Sequence, residues 1–226
     1  MKKKEKKKQS IKHVSFKKNK YLVVRNAISK ELAAFVNQCI FLKRHVITNL
    51  YENKMLETSS WHGVWNEFLV QGHYSCYGDY GAEILLNNLR PMIEKKTKKK
   101  LFPTYSFLRI YDKGAVLPHH IDRPSCEISA TLNISGGIWP IYLVSNKKKI
   151  EVELEAGDLL LFKGNKFFHG RETLKNNYCT QIFLHYVEID GWNKHLKYDK
   201  RPSIGFPRHT KLKKYKNLLF CNPSSY

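Results

Sequence analysis

Between Leu101 and Val187 the chain reads as a series of short strands broken by turns, and no other feature restricts its fold so tightly. Segments 104–111, 127–134, 140–144, 149–154, 158–162 and 178–187 are rich in β-branched, aromatic and other apolar residues. Gly114, Gly136-Gly137, Asn146 and Gly157-Asp158 punctuate them. A strand can bury a face only against another layer, so such a series implies an all-β sandwich or barrel.

The chain before Leu101 has a different texture. Tyr21-Leu22-Val23-Val24 reads as one more strand. Ser29 suits a helix N-cap, with Glu31 in the first turn. Leu32, Phe35, Val36, Cys39, Ile40 and Lys43 then step at helical spacing, which predicts an apolar face with one polar exception. Residues 61–80, rich in Gly and aromatics, read as a packed loop. Asp79 suits the cap of a second helix, with Ile84, Leu85, Leu89, Met92 and Ile93 on its buried side and Pro91 as a kink. The lysine block Lys2–Lys8, broken only by Glu5, cannot pack and predicts disorder. The expected organisation is a disordered basic tail over 1–20, helical and strand support over 21–100, a β core over 101–187, and a basic extension wrapped on that core over 188–226. Residues 21–226 form one folded domain in this reading.

Forty Lys and Arg against nineteen Asp and Glu give a net charge of +21. A surplus of that size favours a polyanionic or acidic partner, or else reflects solvated lysine runs; both readings stay open. Five Cys, an odd number with wide spacing and no CxxC, argue for free thiols in a reducing compartment. No apolar run approaches the roughly 20 residues that span a bilayer, and no signal-like stretch follows the first lysines. A soluble, cytoplasmic protein without a membrane partner is the expectation.

His120-Ile121-Asp122 and the later His169 carry the chemistry. One intervening residue lets both side chains of the first pair point the same way from an extended backbone. Two imidazoles and a carboxylate can cap one face of an Fe(II) ion and leave the other face open. His119 is the competing neighbour, but only His120 has an Asp two residues on. In the strand before it, alternation puts Tyr105, Phe107, Arg109 and Tyr111 on one face. Arg109 there is either a rim charge or an anion ligand in the interior.

Four segments together resemble the 2-oxoglutarate- and Fe(II)-dependent oxygenases, prolyl-4-hydroxylase-like members above all. They are Leu108–Gly114, Pro118-His119-His120-Ile121-Asp122, Glu155–Phe162 with its Gly157-Asp158 turn, and His169. The resemblance implies a mainly β fold with flanking helices around a double-stranded β-helix (jelly-roll) core. It implies His120, Asp122 and His169 as metal ligands, and Fe(II), 2-oxoglutarate and O₂ as cofactors. The implied reaction hydroxylates a substrate and releases succinate and CO₂.

One departure from that family's pattern concerns the far carboxylate of 2-oxoglutarate. Relatives usually hold it with Lys or Arg about ten residues after the distal His; this chain has Cys179 there. Arg171 is the first substitute and Arg109 the second, with Tyr111 assisting; a salt bridge to Glu172 is the competing role for Arg171. Arg123, Glu127 and Trp139 are candidate substrate contacts, with Glu127 either paired to Arg123 or Arg109 inside or a plain surface acid. Trp139 and Trp61 either line a substrate mouth or pack, and His185 reads as structural. A prolyl or other protein side chain is the favoured substrate, with a small molecule also open. The alternatives are a nucleic-acid-directed oxygenase, with contacts through the basic tails, and an inactive jelly roll that binds through a basic surface. Oligomeric state is not legible.

Overall fold

The computed structural model describes residues 15–145 and 148–212. Its strands in chain order are β1 (Tyr21–Val24), β2 (Ser75–Tyr77), β3 (Leu101–Asp112), β4 (Leu117–His120), β5 (Ile128–Ser135), β6 (Ile141–Ser145), β7 (Lys148–Val152), β8 (Leu159–Phe162), β9 (Phe168–Arg171) and β10 (Tyr178–Glu188). They build two antiparallel sheets, one ordered β1-β8-β5-β10-β3-β2 and the other β4-β9-β6-β7. This is a sandwich with flanking helices; the described strands do not close into a barrel. β2, β4 and β9 go beyond the segments read from sequence, and the last two carry the site.

Alternation divides the core into two layers. Leu108 and Ile110 of β3, Leu132 of β5 and Ile182 and Leu184 of β10 face outward, under two helices. Those helices are α2 (Lys30–Glu52) and α3 (Tyr80–Thr97), preceded by the single turn α1 (Phe16–Asn19). Tyr111, Cys179, Leu160, Phe162 and Tyr105 face inward, toward the smaller sheet. The larger sheet is therefore buried on both faces, which is why β3, β5 and β10 are almost continuously buried. Each fully buried Leu or Ile there contributes about 1.5–3 kcal/mol relative to an exposed one.

The helix caps match their sequence signals. Ser29 Oγ accepts from Leu32 N, and Asp79 Oδ1 accepts from Gly81 N and Ala82 N. The buried face of α2 is corrected in part. Ile40 is buried and Val36 packs on the core as expected, joined by Ala33 and Ile47, whereas Leu32, Phe35 and Cys39 face solvent. Two stripes with the same helical spacing lie one residue apart, and only the packing selects between them. In α3, Leu85, Leu86, Leu89 and Ile93 are buried and Ile84 is exposed; the helix runs on through Pro91.

Residues 15–20 also differ from the expected disorder. They form α1 and the turn after it, and Phe16 is buried in the main core. The rest of the lysine tail, Asn146, Cys221 and the end of the basic extension lie outside the described residues. The remaining four cysteines are free thiols. No helix among the described residues is long and apolar enough to cross a membrane.

The segment after β10 is tied to the core by a buried ion pair. Arg201 Nη2 donates to Glu83 Oε2 at 3.0 Å, with both side chains at most 2% exposed. Arg201 also donates to Thr104 O and Phe206 O, and Glu83 accepts from Ser106 N and Gly205 N.

Candidate metal centre

β4 and β9 pair antiparallel, and a register shift between Leu117 and His120 decides which histidine faces inward. Leu117 lies opposite Arg171, so an unbroken ladder would set His119 opposite His169. The extra residue places His120 there instead. A bulge re-aims a side chain in this way without ending the strand. His119 points outward and stacks on Phe168, with ring centroids 4.6 Å apart and planes 3° from parallel.

His120 and His169 bring their ring centroids to 4.3 Å. Asp122 Oδ1 lies 3.5 Å from His120 Nε2 and 3.6 Å from His169 Nε2. The three ligand atoms fall within 4.8 Å of one another and face a common point. Each imidazole is oriented from behind. His120 Nδ1 lies 2.8 Å from Pro118 O, and His169 Nδ1 lies 2.9 Å from Phe167 O. A carbonyl only accepts, so each Nδ1 carries a proton, which leaves Nε2 as the inward-facing nitrogen that a metal would take. This is the arrangement metal-binding histidines use.

Asp122 is held as firmly. Its N–H donates to Gly164 O at 3.1 Å, and its Oδ2 accepts from Ser129 Oγ at 2.8 Å. Gly164 is required by space: a Cβ there would enter the contact shells of Asp122 Oδ2 and Ser129 Oγ. Burial pushes the Asp122 carboxyl up, but the hydrogen bond from His120 and the positive charge of the neighbouring imidazoles outweigh it and hold it well below the usual range. Burial lowers His169, against the pull of Asp122. For His120 burial acts downward too, but the Asp122 hydrogen bond, the Pro118 carbonyl and the Asp122 charge raise it overall. With any Nε2 proton displaced, two neutral imidazoles and one anionic carboxylate suit a borderline divalent ion.

Arg171 lies two residues beyond His169 on the same face of β9 and is 1% exposed. Nη1 donates to Trp139 O, Nη2 donates to Gln181 Oε1 at 3.2 Å, and Nε has no partner. Among the described residues no carboxylate forms an ion pair with it; Glu172 instead pairs with Lys149 at 2.7 Å. Burial lowers the Arg171 guanidinium from its usual value, opposed by Cys179 and Tyr111. Gln181 is itself fixed, because its Nε2 donates to Asn133 Oδ1 at 2.6 Å. Tyr111 and Trp139 pack edge to face beside it, with ring centroids 4.8 Å apart, and the guanidinium sits 4.8 Å over the Trp139 ring.

The other charged candidates have ion-pair partners of their own. Arg109 is buried on the inner face of β3, but its Nη2 pairs with Glu67 at 2.5 Å. Arg123 pairs with Asp199, not Glu127, at 2.8 Å. Glu127 sits 3.8 Å from Lys163 and accepts from Glu188 N, in a Lys–Glu group near the surface. The interior pairing of Glu127 with Arg123 or Arg109 is therefore corrected. Trp139 is 5% exposed, with Nε1 donating to Glu172 O; its ring packs on Arg171 on one side and borders an open cavity of about 270 Å³ with Pro140, Tyr142 and Glu172 on the other. Trp61 Nε1 donates to Gly205 O. Ser129, Asn133 and Gly164 are not legible as site residues, since each matters only through a contact with a residue distant in the chain.

Solved structures share this fold. A 2OG-Fe(II) oxygenase family protein from Burkholderia pseudomallei matches with a TM-score of 0.53 and 12% identity, over 76% of this chain and 85% of its own. The fold is that of the 2-oxoglutarate- and Fe(II)-dependent oxygenases. A Trichoplax adhaerens prolyl hydroxylase, solved with a hypoxia-inducible-factor peptide fragment, matches with a TM-score of 0.52 and 15% identity, over 76% and 86%. HygX from Streptomyces hygroscopicus, solved with nickel and 2-oxoglutarate, matches with a TM-score of 0.54 and 12% identity, over 77% and 85%. No family model and no curated protein matches the sequence.

Proposed function

We propose that the protein is an Fe(II)- and 2-oxoglutarate-dependent dioxygenase that hydroxylates its substrate. The observation that carries this reading is the convergence of His120 Nε2, Asp122 Oδ1 and His169 Nε2 beside a buried cation that has no anion of its own. An unpaired buried charge costs several kcal/mol, so a pocket holding one is built for an anion. His120, Asp122 and His169 hold the metal in this reading. Arg171, steered by Gln181 and Asn133 and flanked by Tyr111, takes the far carboxylate of a dicarboxylic 2-oxo acid. Two residues of strand separate Arg171 from His169 by roughly 6.6 Å, within the reach of a five-carbon diacid bound to the metal at its other end. An Arg fork suits a planar carboxylate better than Lys, and Cys179 is small enough to leave it room.

Metal, 2-oxo acid and O₂ together supply an oxidant able to hydroxylate an unactivated C–H bond, with succinate and CO₂ as by-products. The residues of this chain bind, orient and keep the site dry. The Nδ1 protons locked on Pro118 O and Phe167 O keep both imidazoles in the ligand tautomer. Trp139, Tyr111, Leu117 and Val70 exclude water from the Arg171 pocket.

The substrate class we favour is a protein side chain, prolyl first, supported by the likeness to the peptide-bound prolyl hydroxylase. A nucleic-acid substrate is the second reading. Leaving out the undescribed residues removes eleven cations and one acid, which takes +21 to +11 for the described part. The test is 2-oxoglutarate-dependent succinate release by the iron-loaded protein, with His120→Ala and Asp122→Ala as controls. Succinate release that survives in both variants ends the oxygenase reading. Stimulation by proline-containing peptides, against salt-sensitive stimulation by DNA or RNA, separates the substrate classes.

A further inference from the structure

The two oxygens of the Asp122 carboxylate have different surroundings. Oδ1 faces the two ligand histidines, while Oδ2 faces away from them and accepts from Ser129 Oγ at 2.8 Å. Ser129 Oγ also lies 3.1 Å from His185 Nδ1 and 3.3 Å from Cys126 O. A hydroxyl has one proton to give. A carboxylate and a carbonyl both compete for it, and a histidine that donates from Nδ1 occupies a lone pair of the hydroxyl without claiming that proton. His185 is 6% exposed and packs its ring against Tyr105, with centroids 4.6 Å apart, so it cannot swing away. Gly164 closes the remaining side of Oδ2.

We propose that Ser129 is a positioning residue which, oriented by His185, turns the Asp122 carboxylate so that Oδ1 alone faces the metal position. The proton order is His185 Nδ1–H to Ser129 Oγ and Ser129 O–H to Asp122 Oδ2. The proposal rests on the metal-centre reading above, and it adds a chain of residues from β5 and β10, in the sheet opposite the two histidines. It explains why a buried histidine lies on β10 within reach of a buried serine on β5, roles that packing alone does not require.

The test is Mn²⁺ titration of the metal-free full-length protein, read by the loss of the free-ion EPR signal. Ser129→Ala weakens Mn²⁺ binding by about 10- to 100-fold, the usual cost of removing a hydrogen bond behind a metal ligand. His185→Phe weakens it in the same direction, because the freed hydroxyl turns toward Cys126 O. The double variant is no weaker than Ser129→Ala, since both act through one hydrogen bond. Binding by Ser129→Ala within about twofold of the unaltered protein overturns the proposal, as does a double-variant loss equal to the product of the two single losses. If Ser129→Ala does not fold, unchanged affinity in His185→Phe overturns it alone. Failure of the metal centre itself looks different: Asp122→Ala would bind as well as the unaltered protein, or neither would bind.

Discussion

Arg171 Nη2 donates to Gln181 Oε1 at 3.2 Å and thereby joins the smaller sheet to the larger one at the floor of the site. The contact is polar, buried and made to a neutral amide, so it orients the guanidinium without neutralising it. The guanidinium is thus held in place with its charge unpaired among the described residues.

Replacing that cation separates its cost from its use. Arg171→Met removes a buried charge with no carboxylate partner, and a well-packed apolar replacement of such a group is neutral or stabilising. The cofactor-free variant is expected to melt at or above the temperature of the unaltered protein. Its affinity for 2-oxoglutarate is expected to fall about 10- to 100-fold, the loss of a charge-assisted hydrogen bond or two. Melting curves with and without 2-oxoglutarate in the presence of Mn²⁺ read both effects, and an unchanged ligand-induced shift would remove Arg171 from the subsite.

Gly164→Ala tests how little room surrounds Asp122. The added methyl meets Asp122 Oδ2, Ser129 Oγ and the carbonyl of Cys126, at least one of which must move. A cost of about 1–3 kcal/mol in urea unfolding is expected, together with weaker Mn²⁺ binding. Ala at exposed Gly72, whose Cβ would meet nothing within 4 Å but whose φ of +81° strains it, controls for a loss of stability that leaves metal binding unchanged.

Acid should loosen the fold in a window set by His185. Burial pulls this imidazole from 6.5 down to about 4. The unfolded chain therefore binds the proton first as pH falls, and stability present above about 6.5 is lost progressively down to about 4. The size is about 3 kcal/mol for a shift of that extent. Urea midpoints of the metal-free protein, measured from pH 7 to pH 4, should slope downward, and His185→Phe should flatten the slope. Equal slopes for both proteins would show that other groups account for it.

The Glu83–Arg201 pair predicts that the segment after β10 is part of the fold. Arg201→Ala leaves the buried Glu83 carboxylate without its cation, at a cost of about 3–5 kcal/mol. Glu83→Leu combined with Arg201→Met should recover most of that loss. Urea unfolding of the three proteins checks both, and a loss below about 1 kcal/mol for Arg201→Ala, in the range of exposed pairs, would contradict the burial seen here.

Much of this was written locally. Strand-like segments with Gly, Asn and Asp between them announced a sandwich or barrel, because alternation and turn chemistry act over a few residues. Ser29 and Asp79 announced their helices for the same reason, and the His-x-Asp spacing with a later strand-end histidine marked the three side chains that converge. Tertiary structure alone decided the rest. One extra residue in β4 put His120 rather than His119 opposite His169, and a bulge leaves no compositional trace. Two equally spaced stripes on α2 competed, and the sheet took Ala33, Ile40 and Ile47. Arg171 is left as a buried cation without an ion pair among the described residues because no acid reaches it, whereas Glu67 reaches Arg109. Local periodicity fixes which residues can share a face; which faces meet, and which charges find partners, depends on chain segments tens of residues apart.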